Sequence, residues 1–304
     1  MRDVGRKLRL RDNESGIVEL TSRCIQGRFL MRPSPIVNDR ILGIIGRAQR
    51  MTQIRLHAFV YLSNHDHGLC GTDSVQQMSA FKGFVNGNIA RELGREHDWK
   101  EKFWGRRYHS ASVADTEQDQ QKRLRYILSN GCKEGLVDSP LDWPGVSSAW
   151  ALSRGIWTLE GTWIDRSSDR NNGPKRVKET VQLSPMPFME SWTPKEQRQW
   201  FVDTIREIEE ETRATRRKER RRSLGIKRIE RQNPHDKPES FEHSPAPLFH
   251  ATDADERHKL EYAREMKEAQ YRYAAQRLKH GQTDAEFPSD CFLPPHVAHK
   301  RGPP

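Results

Sequence analysis

Two histidines separated by one residue are the first candidates for chemistry. His65 and His67 flank Asp66, directly after the apolar run RLHAFVYL. Successive side chains on a strand point to opposite faces, so two imidazoles spaced in this way are expected to share one face. Such a pair can form half of a metal site. The spacing alone is a weak indication, because H-x-H pairs also occur by chance.

A tyrosine and an asparagine are the second candidates. Residues 115–130 are predicted to form a helix that begins at Asp115 with a capping box and stops before Gly131. One side of this helix is apolar and carries Leu124, Ile127 and Leu128. Tyr126 and Asn130 lie four residues apart on the other side, so they are expected to face the same direction. The alternative is a tyrosine on a helix surface with no chemical role.

A tyrosine and an amide facing a histidine pair would suit the cleavage of a phosphodiester. A metal held by His65 and His67 would polarise the phosphate and stabilise charge on the leaving oxygen. Tyr126 would attack the phosphorus and keep the strand as a covalent phosphotyrosine. Asn130 could complete the metal site through its amide oxygen.

Composition favours a polyanionic partner. The 304 residues carry a net charge of +10, and nucleic acid is the commonest partner for such a basic chain. The alternative is a basic protein that is merely soluble. Hydrophobic residues make up only 34% of the chain, which predicts a core accompanied by solvated helices or disordered stretches.

Several classes of protein are disfavoured by what the sequence lacks. The four cysteines form no C-x-x-C pair, which disfavours a zinc ribbon or a disulfide framework and suits a reducing cytoplasm. No segment resembles a signal peptide, and no apolar run approaches the roughly 20 residues of a membrane span. No G-x-x-x-x-G-K-[ST] phosphate loop appears, so nucleotide-driven chemistry has no support.

Alternation and helical spacing predict the elements around the candidate residues. Residues 16–22 read as a half-buried strand, and residues 54–64 as a more buried strand that runs into the histidine pair. A helix capped by Asn38 is predicted between these strands. The next helix is expected to start near Asp73 or Ser74 and to pack an apolar stripe into the core.

The segment FWGRRYH mixes aromatic and basic residues, as surfaces that bind single-stranded nucleic acid do. Trp104 and Tyr108 are candidates for base stacking, and Arg106 and Arg107 for phosphate contacts. Arg123 lies on the same helix face as Tyr126 and is a further candidate. The alternative is a strand whose aromatic residues belong to the core and whose arginines are solvated.

The composition changes after about residue 165 and predicts three parts. Residues 1–165 form the domain with the candidate residues, and residues 166–192 form a polar linker. Residues 193–304 form a charged, helical and partly disordered C-terminal extension. Its first helix starts at Thr193 with a capping box, and residues 233–249 are rich in proline.

Several motifs in order resemble the REP-associated tyrosine transposases. These are single-tyrosine HUH transposases, related to those of the insertion-sequence 200/605 group and named for a histidine–hydrophobic–histidine motif. The segments that carry the resemblance are TSRCIQGRFLMRPSP, GRAQR, HAFVYLSNHDH, KFWGRRY, RYILSNGCKEGLV and DWPGV. The later SPAPLFHA and FPSDCFLPP are similar to the C-terminal extension of longer members.

The resemblance implies an α+β fold and a set of roles. The fold is a ferredoxin-like antiparallel sheet of four to five strands with helices on one face. Tyr126 matches the nucleophile, His65 and His67 match the ligands of Mg²⁺ or Mn²⁺, and Asn130 matches a polar third ligand. Family members cut single-stranded DNA, often beside a hairpin, to leave a 5′-phosphotyrosine and a free 3′-hydroxyl. Rejoining then needs no ATP. A cytoplasmic, nucleoid-associated location would follow, and a homodimer is left open.

Asp66 departs from the family pattern, which has an apolar or aromatic residue between the histidines. Strand alternation would point Asp66 into the helix-covered face, and the sequence shows no obvious partner for a carboxylate there. Asp66→Phe is therefore expected to raise both the melting temperature and any cleavage rate. Two alternative functions remain open: a degenerate relative that binds hairpin DNA without cutting it, and a metal-dependent nuclease in which water attacks.

Overall fold

A mixed five-stranded sheet forms the centre of the computed structural model. The structure describes residues 13–166, 173–239, 247–282 and 285–294. The strands are β1 (Ile17–Arg23), β2 (Arg55–Tyr61), β3 (His65–Gly71), β4 (His109–Val113), β5 (Thr158–Asp165), β6 (Lys175–Gln182) and β7 (Phe249–His250). The helices are α1 (Pro35–Thr52), α2 (Val75–Glu96), α3 (Glu117–Leu128), α4 (Asn130–Lys133), α5 (Ala149–Ser153), α6 (Pro194–Glu219), α7 (Ile226–Glu230) and α8 (Ala254–Lys279).

The order of strands confirms the predicted α+β class. The sheet runs β2-β3-β1-β4-β7, in which the first four strands are antiparallel and the short β7 is parallel to β4. Helix α2 covers one face of the sheet, where Asn86 donates to the Ser22 hydroxyl of β1. Helix α3 lies against the opposite face, where the Tyr126 ring meets that of His67. Both faces of the sheet are therefore covered, at least in part, by helix.

The histidine pair begins a strand of its own. The apolar run was expected to continue as one strand into the pair, but it ends at Tyr61, and β3 starts at His65 and returns antiparallel to it. The turn closes with a hydrogen bond from Leu62 N–H to the His65 carbonyl. The pair therefore lies on a central strand with β2 on one side and β1 on the other, which fixes the backbone of both histidines.

A second hairpin packs on the outside of α1. Strands β5 and β6 pair antiparallel along their whole length and lie across this helix. The contact is backbone to backbone, because a Cβ atom on Gly43 would lie 2.1 Å from the Thr162 carbonyl carbon. Part of the segment predicted as a linker is thus strand β6, and residues 167–172 of that segment lie outside the described residues.

Three predicted helix ends were wrong. The N-cap of α1 is Ser34, whose hydroxyl accepts from Val37 N–H, and not Asn38. The N-cap of α3 is Thr116, one residue after the predicted Asp115. Helix α3 stops at Leu128, and the chain continues through the short α4 instead of ending before Gly131. At the two helix starts, a neighbouring hydroxyl accepts from a helix N–H group in place of the predicted cap.

The C-terminal part of the chain contacts the sheet domain at several places. The capping box at Thr193 is confirmed, and α6 buries Phe201, Ile205 and Ile208. The Ser63 hydroxyl bonds to the Gln232 side chain. Strand β7 continues the sheet beside β4. Residues 240–246 of the proline-rich segment lie outside the described residues. No helix within the described ranges is long and apolar enough to cross a membrane.

Candidate active site

The two histidines share one face of β3, as their spacing predicts. Their ring centroids lie 5.1 Å apart, and both side chains are buried. Nδ1 of His65 lies 2.6 Å from the Asn64 amide oxygen. Nδ1 of His67 lies 2.6 Å from a carboxylate oxygen of Glu19. Because both Nδ1 atoms are engaged, Nε2 is the nitrogen that each ring could offer to a metal.

Tyr126 lies directly beside His67, with the ring centroids 5.6 Å apart. The Arg123 guanidinium carbon lies 3.8 Å from the centre of the tyrosine ring, and Lys133 Nζ lies 4.4 Å from it. Burial raises the pKa of Tyr126 above its ordinary value, while the charge of Arg123 opposes this shift. The phenol is therefore neutral at pH 7, and its ring lies next to two cations.

Asn130 is buried at the start of α4, one helical turn after Tyr126. Its side-chain oxygen Oδ1 has no hydrogen-bond partner among the described residues. Burial lowers the pKa of the neighbouring His65 imidazole well below its usual value, and the Asn130 side chain opposes this shift. A buried amide oxygen without a donor next to two imidazoles fits a divalent cation.

The donor set is therefore two imidazole nitrogens and one amide oxygen. No group of three or more histidine, cysteine, aspartate or glutamate side chains that could hold a metal occurs within residues 13–166, 173–239, 247–282 and 285–294. The third protein ligand would thus be the neutral amide. Such a set leaves positions for water and phosphate oxygens, which hard divalent cations accept.

Glu19 is the residue that sequence reasoning missed. It lies on β1, is buried, and accepts hydrogen bonds from His67, Arg123 and His250. Burial alone would raise its pKa, but the hydrogen bonds from His250 and His67 and the charge of Arg123 bring it well below the usual value. The signal was present, since Glu19 is the single charged residue within the alternating run GIVELTS.

His250 enters the same cluster from β7, far along the chain. Its Nε2 lies 2.6 Å from Glu19 Oε2, and its Nδ1 lies 3.5 Å from Arg123 Nη1. A guanidinium can only donate, so Nδ1 accepts and Nε2–H is the donor to the carboxylate. No local pattern indicates that His250 reaches the candidate site, because it lies 231 positions after Glu19 in the chain.

Asp66 points away from this cluster, toward α2, as strand alternation predicts. The sequence shows no obvious partner for this carboxylate, and in the structure the Lys82 ammonium of α2 bonds directly to it. Both side chains are almost fully buried, at 1% and 2% exposure. Lys82 lies within the helical stripe of apolar residues, where a lysine is unexpected and where sequence reasoning did not look for it.

The predicted DNA-contacting residues fall into two groups. Arg123 is at the candidate site, bound to Glu19 and stacked on Tyr126. Trp104 and Tyr108 instead contact α2, through hydrogen bonds to the Asn86 carbonyl and the Ser79 hydroxyl, on the other side of the sheet. Arg106 and Arg107 are exposed in the same loop. The packed positions of both rings favour the core alternative for the aromatics.

Comparison with known proteins agrees with the motifs. Residues 25–130 match the family model described as "Transposase IS200 like", which spans about a third of the chain. This match confirms the resemblance to the IS200-like transposases over that segment and supports a transposase function. The candidate nucleophile, both histidines and Asn130 all lie within it, whereas Glu19 and His250 lie outside.

Two solved structures are more loosely similar. A REP-associated tyrosine transposase bound to a REP hairpin is 19% identical, with a TM-score of 0.40, over 58% of this chain and 99% of that one. A putative transposase from Deinococcus radiodurans R1 is 16% identical, with a TM-score of 0.28, over 35% and 85% of the two chains. Nothing about function follows from likenesses at this level. No curated protein matches the chain.

Proposed function

We propose that the protein cuts and rejoins single-stranded, hairpin-associated DNA through a 5′-phosphotyrosine at Tyr126. The observation that carries the proposal is the meeting of Tyr126, His67 and Arg123 on one face of the sheet. The match of residues 25–130 to the IS200-like transposases supports this class of reaction. The net charge of +10 agrees with a DNA partner.

The chemistry begins with the phenol oxygen of Tyr126. Its attack forms an Oη–P bond while the bond from phosphorus to the 3′ oxygen breaks, so the departing strand ends in a 3′-hydroxyl once it gains a proton. Because the pKa of Tyr126 is raised, its own proton must pass to a base or to water during the attack. Arg123 and Lys133 lie where they could meet the scissile phosphate. Attack by a 3′-hydroxyl on the phosphotyrosine reverses these bond changes and rejoins a strand.

A divalent cation such as Mg²⁺ or Mn²⁺ fits the pair of histidines and the Asn130 amide. When bound, it would supply charge stabilisation at the phosphate oxygens. The three residues would hold it beside the phenol, and the hydrogen bonds at both Nδ1 atoms would keep the imidazole rings oriented.

The test is a covalent-adduct assay. The full chain is incubated with Mn²⁺ and a labelled pool of single-stranded hairpins with randomised flanks, followed by a denaturing gel. A labelled band that migrates with the protein is expected. It should disappear in Tyr126→Phe while hairpin binding in a native gel stays within a few-fold, because the ring that packs on His67 is retained.

Tyr262→Phe, at an exposed tyrosine of α8, is the matched control and should form the adduct normally. Cleaved DNA without an adduct would replace the proposal with a nuclease in which water attacks. A probe that is shifted but never cut would replace it with a hairpin-binding protein. An adduct that persists in Tyr126→Phe would show that another residue is the nucleophile.

A further inference from the structure

The buried Glu19 carboxylate connects groups that the proposed reaction needs. Its Oε1 lies 2.6 Å from His67 Nδ1 and 2.5 Å from Arg123 Nη2, and its Oε2 lies 2.6 Å from His250 Nε2. Only 3% of Glu19 is exposed. A buried carboxylate that accepts three charge-assisted or imidazole hydrogen bonds is held in one orientation.

The direction of each hydrogen bond determines which imidazole nitrogens carry protons. An ionised carboxylate only accepts, so Nδ1 of His67 must be the protonated nitrogen. Nε2 of the neutral ring is then unprotonated and carries the lone pair that a metal requires. The opposite tautomer would place a proton on Nε2 and block that ligand.

Arg123 is held by the same oxygen. Its guanidinium bonds to Glu19 at one edge and lies over the Tyr126 ring, with its carbon 3.8 Å from the ring centre. Glu19 thus orients a predicted ligand and the cation nearest the predicted nucleophile. His250 completes the arrangement, because it donates to Glu19 and accepts from Arg123.

We propose that Glu19 is a positioning residue that sets the tautomer of His67 and holds Arg123 on Tyr126, and that His250 of β7 holds Glu19 in place. This inference rests on the proposed function, but its tests measure the tautomer of His67 and Mn²⁺ binding and do not require DNA cleavage. Both residues lie outside the segment that matches the transposase family. The C-terminal part of the chain would therefore contribute a residue to the site, and not act only as an appendage.

The first experiment measures the tautomer of His67 in the metal-free full chain. Protein labelled with ¹⁵N-histidine is examined at pH 8 by long-range ¹H–¹⁵N correlation, and the signals of His67 are assigned with a His67→Gln variant. In the unsubstituted chain Nδ1 is expected to be protonated and Nε2 unprotonated. In Glu19→Gln, whose amide can donate to Nδ1, the proton is expected to move to Nε2 in a substantial fraction of molecules.

The second experiment measures Mn²⁺ binding by electron paramagnetic resonance. Loss of an outer partner of a histidine ligand weakens metal affinity by about 10–100-fold, and Glu19→Gln is expected to fall in this range. His250→Leu is expected to weaken binding less, since Glu19 is still present. His250→Gln should recover part of the loss, because its amide can still donate to Glu19. His258→Leu, at an exposed histidine of α8, is the matched control.

The results separate the inference from the proposed function. A His67 that keeps its Nδ1 proton in Glu19→Gln, with Mn²⁺ affinity within 2-fold, would overturn the role of Glu19. If Glu19→Gln does not fold, the two His250 variants decide the matter. Equal Mn²⁺ affinities of His250→Leu and His250→Gln would then overturn the inference. An unsubstituted chain that binds no Mn²⁺ would contradict the metal site of the proposed function, while the tautomer of His67 would still decide for or against Glu19.

Discussion

The two faces of β3 bury polar groups in opposite ways. On one face, His65 and His67 lie beside Tyr126 and Asn130, and the Asn130 oxygen has no donor among the described residues. On the other face, the Asp66 carboxylate is paired with the Lys82 ammonium through Oδ2, and its Oδ1 atom has no hydrogen-bond partner among the described residues. The two histidines and Asn130 on one face and Asp66 and Lys82 on the other are all buried. Burial alone therefore does not distinguish a site of chemistry from a structural contact.

Both faces leave a buried oxygen atom without a hydrogen-bond partner among the described residues, so the difference lies in the groups that surround it. The face with the histidines holds two imidazoles and an amide oxygen without a donor, and a metal ion could bind all three. On the face with Asp66, the carboxylate is paired with the Lys82 ammonium, which compensates its charge. Under the proposed function, neighbouring positions of one strand serve chemistry and folding separately, because alternation sends them to different sides of the sheet.

The largest expected effect concerns the Asp66–Lys82 pair. Asp66→Phe should lower the free energy of unfolding by about 3–5 kcal/mol, because it leaves the Lys82 ammonium buried without a partner. This reverses the gain in stability that the sequence alone predicts. Replacing both residues, as in Asp66→Leu with Lys82→Met, should bring stability back to the wild-type level or above it. Urea denaturation of the three proteins measures both effects.

An exposed ion pair supplies the control for this measurement. Asp73→Asn removes the contact with Arg55, in which both side chains are about half exposed or more, and should cost no more than about 1 kcal/mol. If Asp66→Phe instead melts at a higher temperature than the wild type, the pair does not stabilise the strand. The family's apolar middle position would then be the better solution here also.

The sequence alone predicts the candidate-site residues that belong to a local motif. It does not predict those that reach the site only through tertiary contacts. The spacing of His65 and His67 and the helical offset of Tyr126 and Asn130 are local, so periodicity could place them. Glu19, Lys82 and His250 join their clusters through tertiary contacts that no local pattern encodes. Among the wrong helix ends, the predicted caps Asn38 and Asp115 lost to the nearby hydroxyls of Ser34 and Thr116, which accept from helix N–H groups.

The next largest effect is the pH dependence of stability that arises from a buried imidazole outside the candidate site. His57 lies at the bulge of β2, with Nδ1 3.0 Å from the Ser184 carbonyl and no partner for Nε2 among the described residues. Burial lowers its pKa from 6.5 to about 4. Between pH 4 and pH 6.5, His57 therefore binds a proton in the unfolded chain but not in the folded chain. Stability from His57 is present above pH 6.5 and is lost as the pH falls, by about 3 kcal/mol at pH 4.

The measurement is urea denaturation between pH 4 and pH 7. His57→Gln keeps an N–H group for Ser184 and cannot be protonated, so its stability should fall less steeply on acidification. His258→Gln, at an exposed position, should follow the wild type. Parallel curves for His57→Gln and the wild type would mean that His57 is already protonated or already solvated in the folded protein.

The last comparison is among the three predicted ligands on the face of β3 that carries the histidines. His65→Ala and His67→Ala should abolish measurable Mn²⁺ binding, while Asn130→Ala should weaken it by on the order of 10-fold, because imidazoles bind divalent ions more strongly than a neutral amide does. Isothermal titration with Mn²⁺ gives the affinities. His57→Ala, which removes a buried imidazole distant from the pair, is the control and should bind normally.

Asn130→Asp tests whether the unpartnered oxygen itself is the ligand. The substitution keeps an oxygen at the same place and adds a negative charge, and carboxylates are preferred ligands of Mg²⁺ and Mn²⁺. Mn²⁺ affinity should therefore equal or exceed that of the wild type, although Asn130→Ala loses affinity. If Asp and Ala weaken binding equally, the Asn130 oxygen is not a ligand of the metal. The face of β3 that carries the histidines would then hold two protein ligands, and phosphate and water oxygens would have to supply the other ligands of the metal.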